Sequence, residues 1–306
     1  MRSILSKAQF GTQPGGRPPA AVELAPQGVL AAATPAAGKP PVFAFAPLAA
    51  GALLPGIGEP NLLSPEAVVA AIRAALGQVS ARTRAVTLVL PDTAVRIFVL
   101  DFDALPAKTA EVVSVLRFRL RKMIPFEVEH AGLSYQVLTQ SKDNCKVLAA
   151  VLPAAILAEY EEAVRAAGYE PGAVLPTSLA ALSSIESLEA VLTANLTSVA
   201  LTTAITNGGD LLLYRTIDLP EAPAARQDEV RRGIAVAAAY FEDKLSAPPQ
   251  TLHYAGSHET VEEFAAWLDT PELAVVELAP RPETGATTPM GNISIAGVAG
   301  ALAGAN

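Results

Sequence analysis

Apolar positions along this chain switch between two periods, and the switches mark its elements. From residue 65 to residue 76, Val68, Val69, Ile72 and Leu76 recur at helical spacing. Ser64 stands at the cap, Pro65 at the first position and Gly77 at the stop, so a helix is predicted there. Runs at 85–90 and 95–102 are rich in β-branched and apolar residues and flank Pro91, Asp92 and Thr93, which reads as a hairpin. Pro106 then opens a helix whose Val112, Leu116, Leu120 and Ile124 repeat every four residues until Pro125 ends it. Strands follow at 133–138 and 146–152, a helix at about 153–167 stopped by Gly168, and a helix at 178–188 capped by Thr177. In the second half, strands at 198–206 and 211–217 flank Asn207, Gly208 and Gly209, whose tolerance of positive φ predicts a tight hairpin. Helices at about 228–245 and 259–268, short strands at 251–254 and 274–277, and a small-residue helix at 293–303 complete the pattern. Two halves, each with strands and covering helices, predict two similar α/β lobes. Residues 11–60, dense in Pro and Gly, yield only a short strand near 20–24.

Composition narrows the function. With 306 residues and 51% hydrophobic residues the chain can build a real core. A formal charge of -8 argues against nucleic acid or an anionic membrane as partner, since both demand positive surface. The mean hydropathy is +0.35, but the most apolar stretch, 42–57, is broken by Pro47 and Pro55, and the excess of alanine raises the average without lipid. No direct membrane span and no export signal are expected. Cys145 is the single cysteine, which excludes an internal disulfide and a Cys-rich zinc site and fits a reducing compartment.

Familiar catalytic patterns are missing. His130, His253 and His258 show no metal spacing. Gly38 and Lys39 do not make a phosphate loop, because Ala33 and Pro40 stand at its first glycine and its hydroxyl. Ser257 lacks the following glycine of a nucleophile elbow and reads as a helix cap. Arg117, Arg119, Arg121 and Lys122 form a basic run on the striped helix, either a solvated face or a site for an acidic partner in an otherwise acidic chain.

Several segments resemble the PilM family. They are Leu-Pro-Asp-Thr-Ala-Val-Arg-Ile-Phe-Val-Leu at 90–100, Met-Ile-Pro-Phe-Glu-Val-Glu at 123–129 and Leu-Ser-Tyr-Gln-Val-Leu at 133–138, with further segments at 146–153, 166–171 and 297–302; the likeness is good from about residue 85 to residue 182 and weak outside it. PilM proteins are actin-like cytoplasmic components of type IV pilus machines, related to the cytoplasmic domain of GspL in type II secretion. The resemblance implies an α/β, actin-like and ribonuclease-H-like two-lobed fold with a small inserted α+β subdomain. It places the first lobe at 1–176 with the insert at about 91–141, the second lobe at 177–284, and a segment at 285–306 returning to the first. At the family's first nucleotide hairpin this chain offers Gln13, Pro14 and Gly15 in place of an acidic run, with Ala20 where a lysine is usual. The second hairpin looks shortened away before Asn207, and the paired glycines of the adenosine motif read Gly256 and Ser257. What remains of a nucleotide cleft is Gly15, Gly256 and Ser257, so no ATP hydrolysis and no required cofactor or metal is expected, with at most weak adenine nucleotide docking near Gly256.

The implied role is a cytoplasmic adaptor, peripheral to the inner membrane through its partners. It would bind the cytoplasmic N-terminus of a PilN-like bitopic protein and link it to pilus motor ATPases, with room for self-association. The alternatives are a working actin-like ATPase and a GspL-like scaffold of a type II secretion system. The expected partner surface is on the insert, at Asp101, Arg117, Arg121, Lys122 and Phe126.

Overall fold

The computed structural model describes residues 16–34, 39–58, 60–141, 143–185, 187–256, 258–280 and 291–303. Its elements form two five-stranded sheets and one three-stranded sheet. In the first, β1 (Ala20–Ala25), β2 (Gly28–Ala33) and β3 (Val42–Pro47) make an antiparallel meander. After α1 (Pro65–Gln78), β4 (Ala85–Leu90) joins parallel to β1. The chain then leaves this sheet. β5 (Arg96–Phe102), α2 (Thr109–Leu120), β6 (Ala131–Gln140) and β7 (Cys145–Pro153) build the small sheet, in the order β5-β7-β6. After α3 (Ala154–Ala166) the chain returns as β8 (Glu170–Pro176), parallel to β4, to give the order β3-β2-β1-β4-β8.

The second sheet repeats that topology. β9 (Ala190–Leu196), β10 (Ala200–Asn207) and β11 (Asp210–Asp218) form the meander, and β12 (Thr251–Gly256) and β13 (Ala274–Glu277) add in parallel, giving β11-β10-β9-β12-β13. The first sheet is joined to it by α4 (Thr177–Ala181); α5 (Pro223–Leu245) and α6 (Val261–Leu268) cover the second. The last described helix, α7 (Ala296–Ala303), packs on β1, β2, β4 and α4, so it returns to the first sheet.

Alternation along the strands sorts side chains onto two faces. Ala20, Val22 and Leu24 of β1 face a core shared with α1 and α3. Ala21 and Glu23 face the other way, toward α4 and α7. In the second sheet Leu192, Ala194 and Leu196 meet α5 and α6. The opposite face carries buried Thr193, Asn195, Thr202 and Thr206. The α2 stripe, Val112, Leu116 and Leu120, is buried on the small sheet against Val147, Ala149 and Val151.

Several local expectations change. The runs at 85–90 and 95–102 are no hairpin: β4 belongs to the first sheet, β5 pairs with β7, and a short turn at Asp92–Ala94 separates them. Strands β2, β3, β8 and β9 were not read from the sequence, and the helix expected at 178–188 stops at Ala181 and continues as a turn through Ser184. α1 runs past Gly77, and Ser80 rather than a glycine takes the left-handed conformation at φ 51°. Ser64 is the N-cap by position, yet its carbonyl accepts from the Val68 amide and its hydroxyl makes no cap. The small sheet also draws in β7, beyond residue 141. The hairpin at Asn207 forms as expected, with Gly208 and Gly209 at φ 57° and 96°.

Candidate functional site

Both sheets turn the ends of their first and fourth strands toward one cleft between the lobes. Its walls are the β1–β2 turn at Pro26 and Gln27, the β9–β10 turn at Thr197–Val199, Pro91 to Thr93, Thr177, and Ile293 to Gly297. About 40 Å³ of this cleft can be occupied by the centre of a water molecule, room for only a few waters. Its described lining holds two carboxylates, Glu23 and Asp92, and neither lysine nor arginine.

Asp92 lies just beyond β4 and is buried at 5% exposure. Its Oδ1 accepts from the Ser178 amide at 3.0 Å and the Tyr214 hydroxyl at 3.1 Å. Its Oδ2 accepts from the Ser178 hydroxyl, from Asn195 Nδ2 at 3.2 Å and from the Thr202 hydroxyl at 3.1 Å. Asn195 also donates to Ser178 Oγ at 2.9 Å, and Thr202 shares a hydrogen bond with Thr216 at 3.0 Å. One carboxylate of the first sheet therefore gathers donors from β9, β10 and β11 of the second and from α4 between them. Burial pushes its pKa above the ordinary value, while the Ser178, Thr202 and Tyr214 donors pull it down.

Glu23 sits one strand over, in β1. Burial is the largest influence and pushes its pKa up to about 7, with the Thr177 hydroxyl and the Val298 amide opposing and the nearby Asp92 charge adding. The Thr177 hydroxyl lies 3.0 Å from Glu23 Oε1 and 3.0 Å from the Leu90 carbonyl. α7 meets Glu23 through Gly297, where any Cβ would collide with Glu23 Oε2. Arg17, buried at 3% exposure, bonds the Gly300 carbonyl of α7 at 3.2 Å and Ser183 Oγ at 3.1 Å. Burial lowers the pKa of its guanidinium to about 10, leaving it cationic.

Two further contacts tie the cleft. At its mouth Gln27 Nε2 meets His258 Nε2 at 2.7 Å, from one lobe to the other. Arg226 of α5 bonds the carbonyls of Ser198 at 2.6 Å and Thr197 at 2.8 Å, fixing the β9–β10 turn, and pairs with Glu259 at 3.5 Å.

These positions bear on the second hairpin. Gln13, Pro14, Gly15 and Ser257 lie outside the described residues. The first hairpin of the first sheet among the described residues is the β1–β2 turn, with Ala20 at the far end of β1 and Glu23 as the carboxylate of β1 that lines the cleft. The second hairpin is not shortened away: it joins β9 to β10, with neutral Asn195 opposite Thr202 near its tip. Gly256 ends β12 and is buried; a Cβ there would strike the Tyr254 side chain, whose hydroxyl bonds the Glu259 carbonyl at 3.1 Å. The glycine is accounted for by that close packing. No group of residues able to hold a metal ion is found among the described residues.

The insert residues separate. Arg117 does not face outward: it is half-buried and donates to the carbonyls of Val128 and Ala131, holding the turn after α2. Arg121 is exposed but paired with Glu129. Phe126 is half-buried against the small core, Asp101 is exposed on the edge strand β5, and Lys122 is exposed. Phe118, at 74% exposure, and Met123, at 43%, are the exposed apolar residues of this helix and the turn after it, neither of them picked out from the sequence.

No protein-family model matches the chain, and no curated protein sequence does. Among solved structures, a chain of the PilM-PilN type IV pilus biogenesis complex superposes with a TM-score of 0.70 at 19% identity, covering 94% of this chain and 98% of that one. The fold is that of PilM. The repeated strand order of the two lobes and the inserted small sheet make it actin-like and ribonuclease-H-like. The cytoplasmic domain of EpsL, an inner membrane component of the type II secretion system of Vibrio cholerae, has a TM-score of 0.49 at 14% identity, covering 84% of this chain and 85% of that one. A Bacteroides thetaiotaomicron protein with an actin-like ATPase fold has 0.49 at 12% identity, covering 84% and 90%. No described helix is long and apolar enough to cross a membrane.

Proposed function

We propose that this chain is a non-hydrolysing actin-like adaptor of a type IV pilus assembly complex, working at the cytoplasmic face of the inner membrane. It binds the cytoplasmic N-terminus of a PilN-like bitopic protein and passes the connection on to the pilus motor ATPases. The PilM fold supports the setting. The observation that carries the mechanism is the bridging of the lobes by Asp92, whose five donors leave the carboxylate no lone pair directed at a metal. A working ATPase of this fold would need a cleft able to open around Mg²⁺ and phosphates. Here Asn195 is neutral, the described lining has no cation for phosphate, and the space suits only a few waters.

The presence of Glu23 and Asp92 on neighbouring strands is the feature favouring the rival ATPase reading. The Asp92 carboxylate is committed to protein donors, which speaks against it. The partner surface belongs to the outward side of α2 and the turn after it, where Phe118 and Met123 are exposed beside Arg119 and Lys122. Such an exposed aromatic can anchor an interface at about 2 kcal/mol or more, whereas rim charges contribute about 1 kcal/mol or less. Pull-down by the N-terminal peptide of the PilN-like protein should fail with a Phe118→Ala, Lys122→Glu variant that keeps its circular dichroism. Steady Mg-dependent phosphate release by the purified chain would refute the non-hydrolysing reading.

A further inference from the structure

The Thr177 hydroxyl carries one proton but stands at hydrogen-bonding distance from two acceptors, the Leu90 carbonyl and Glu23 Oε1, both at 3.0 Å. It can donate to only one of them. Both contacts are satisfied together only if Glu23 itself holds a proton, donating to Thr177, which in turn donates to Leu90. Once Glu23 is ionised, two buried acceptors compete for one proton, and the loser gives up that hydrogen bond.

We propose that Glu23 carries a proton in the closed form of the chain, and that its loss loosens the seam where β4, α4 and α7 meet, so that lobe closure follows pH. The geometry places this relay at a junction. Leu90 ends β4, Asp92 follows two residues on, and Thr177 begins the helix that leads into the second lobe. α7 rests on the same carboxyl through Gly297 and the Val298 amide. Among the groups facing Glu23, Asp92 is the titratable neighbour, at the end of β4, and adds negative charge that favours the protonated form. β2, α4 and α7 bring no charged side chain, and Arg17 acts one turn along α7, at Gly300. Among the described residues no cation therefore meets Glu23 to hold it ionised.

Hydrogen exchange of the full chain, followed by mass spectrometry one pH unit below and one above about 7, tests this. After correction for the intrinsic pH dependence of exchange, amides of 177–184 and 296–303 should exchange roughly five- to tenfold faster at the higher pH in the wild type. In Glu23→Gln, whose amide can donate to Thr177 at any pH, the corrected rates should not change. A corrected rise of equal size in Glu23→Gln, or none in the wild type, overturns the proposal. Infrared spectra of the wild type give a check that needs no variant: a buried protonated carboxyl band should be present at the lower pH and lost at the higher. Its absence at both overturns the proposal as well.

Discussion

Replacing Asp92 by alanine removes the acceptor on which the two lobes converge. Not every donor is orphaned: Asn195 still has Ser178 Oγ, and Thr202 still has Thr216. Of the remaining donors, the Ser178 and Tyr214 hydroxyls can bond each other, which leaves the Ser178 amide and one hydroxyl proton without an acceptor among the described residues. Each buried donor left unpaired costs about 1–3 kcal/mol, so the gross loss is about 2–6 kcal/mol. Relief from burying a carboxylate offsets part of it, leaving a net loss of about 3 kcal/mol. Asp92→Asn keeps an oxygen for the Ser178 amide and Tyr214 and sets its own amide against Asn195 and the Ser178 and Thr202 hydroxyls; the hydroxyls can turn to accept, so the single mismatch with Asn195 should cost about 1 kcal/mol. The two variants are therefore expected to differ by about 2 kcal/mol, with unchanged m, in urea unfolding followed by circular dichroism. If Asp92→Ala lay within about 1 kcal/mol of the wild type, or Asp92→Asn were equally damaging, the bridge would not hold the lobes as described.

Other substitutions probe separate links. Glu23 has a folded pKa raised from 4.5 to about 7, so its stabilising effect is full below 4.5 and is lost as pH rises through about 7; urea midpoints of the wild type should fall across that window relative to Glu23→Gln. Gly300→Ala puts a Cβ into the Ala180 carbonyl and should destabilise by about 1–3 kcal/mol. Gly77→Ala, on an exposed stretch of α1 with nothing near the new methyl, should stabilise by about 0.5–1 kcal/mol, and thermal melts would separate the two signs. Asn61, fully buried, accepts from the Gly56 amide and Tyr160 and donates to Gly58, so Asn61→Ala should free residues 48–63 to limited proteolysis at a cost of about 2 kcal/mol.

The helices and the Asn207 hairpin were legible because each carries a local signal, a 3.6-residue stripe or a glycine pair able to take positive φ. Strands β2 and β3 were not, since Gly-Val-Leu-Ala-Ala-Ala and Val-Phe-Ala-Phe-Ala-Pro are rich in alanine and buried on both faces, which erases alternation. β8 hid behind its own Pro and Gly, tolerated because it is an edge strand. Missing β9 hid the hairpin that it forms with β10, and Glu23 of β1 carries no local signal of its burial. Asp92 looked like an ordinary turn residue, because its donors come from Ser178, Asn195, Thr202 and Tyr214, far along the chain. Arg117 was misplaced for a different reason. Its long stem lets a residue beside the apolar stripe fold back onto the carbonyls of Val128 and Ala131, which helical periodicity alone does not reveal.

The most direct test is a calorimetric titration of the PilN-like N-terminal peptide into the purified chain, with and without ATP and Mg²⁺. An adaptor whose lobes are held by protein donors binds the peptide with the same affinity in both, and releases no phosphate. Peptide binding that appears only with ATP and Mg²⁺, or is lost with them, would contradict the account.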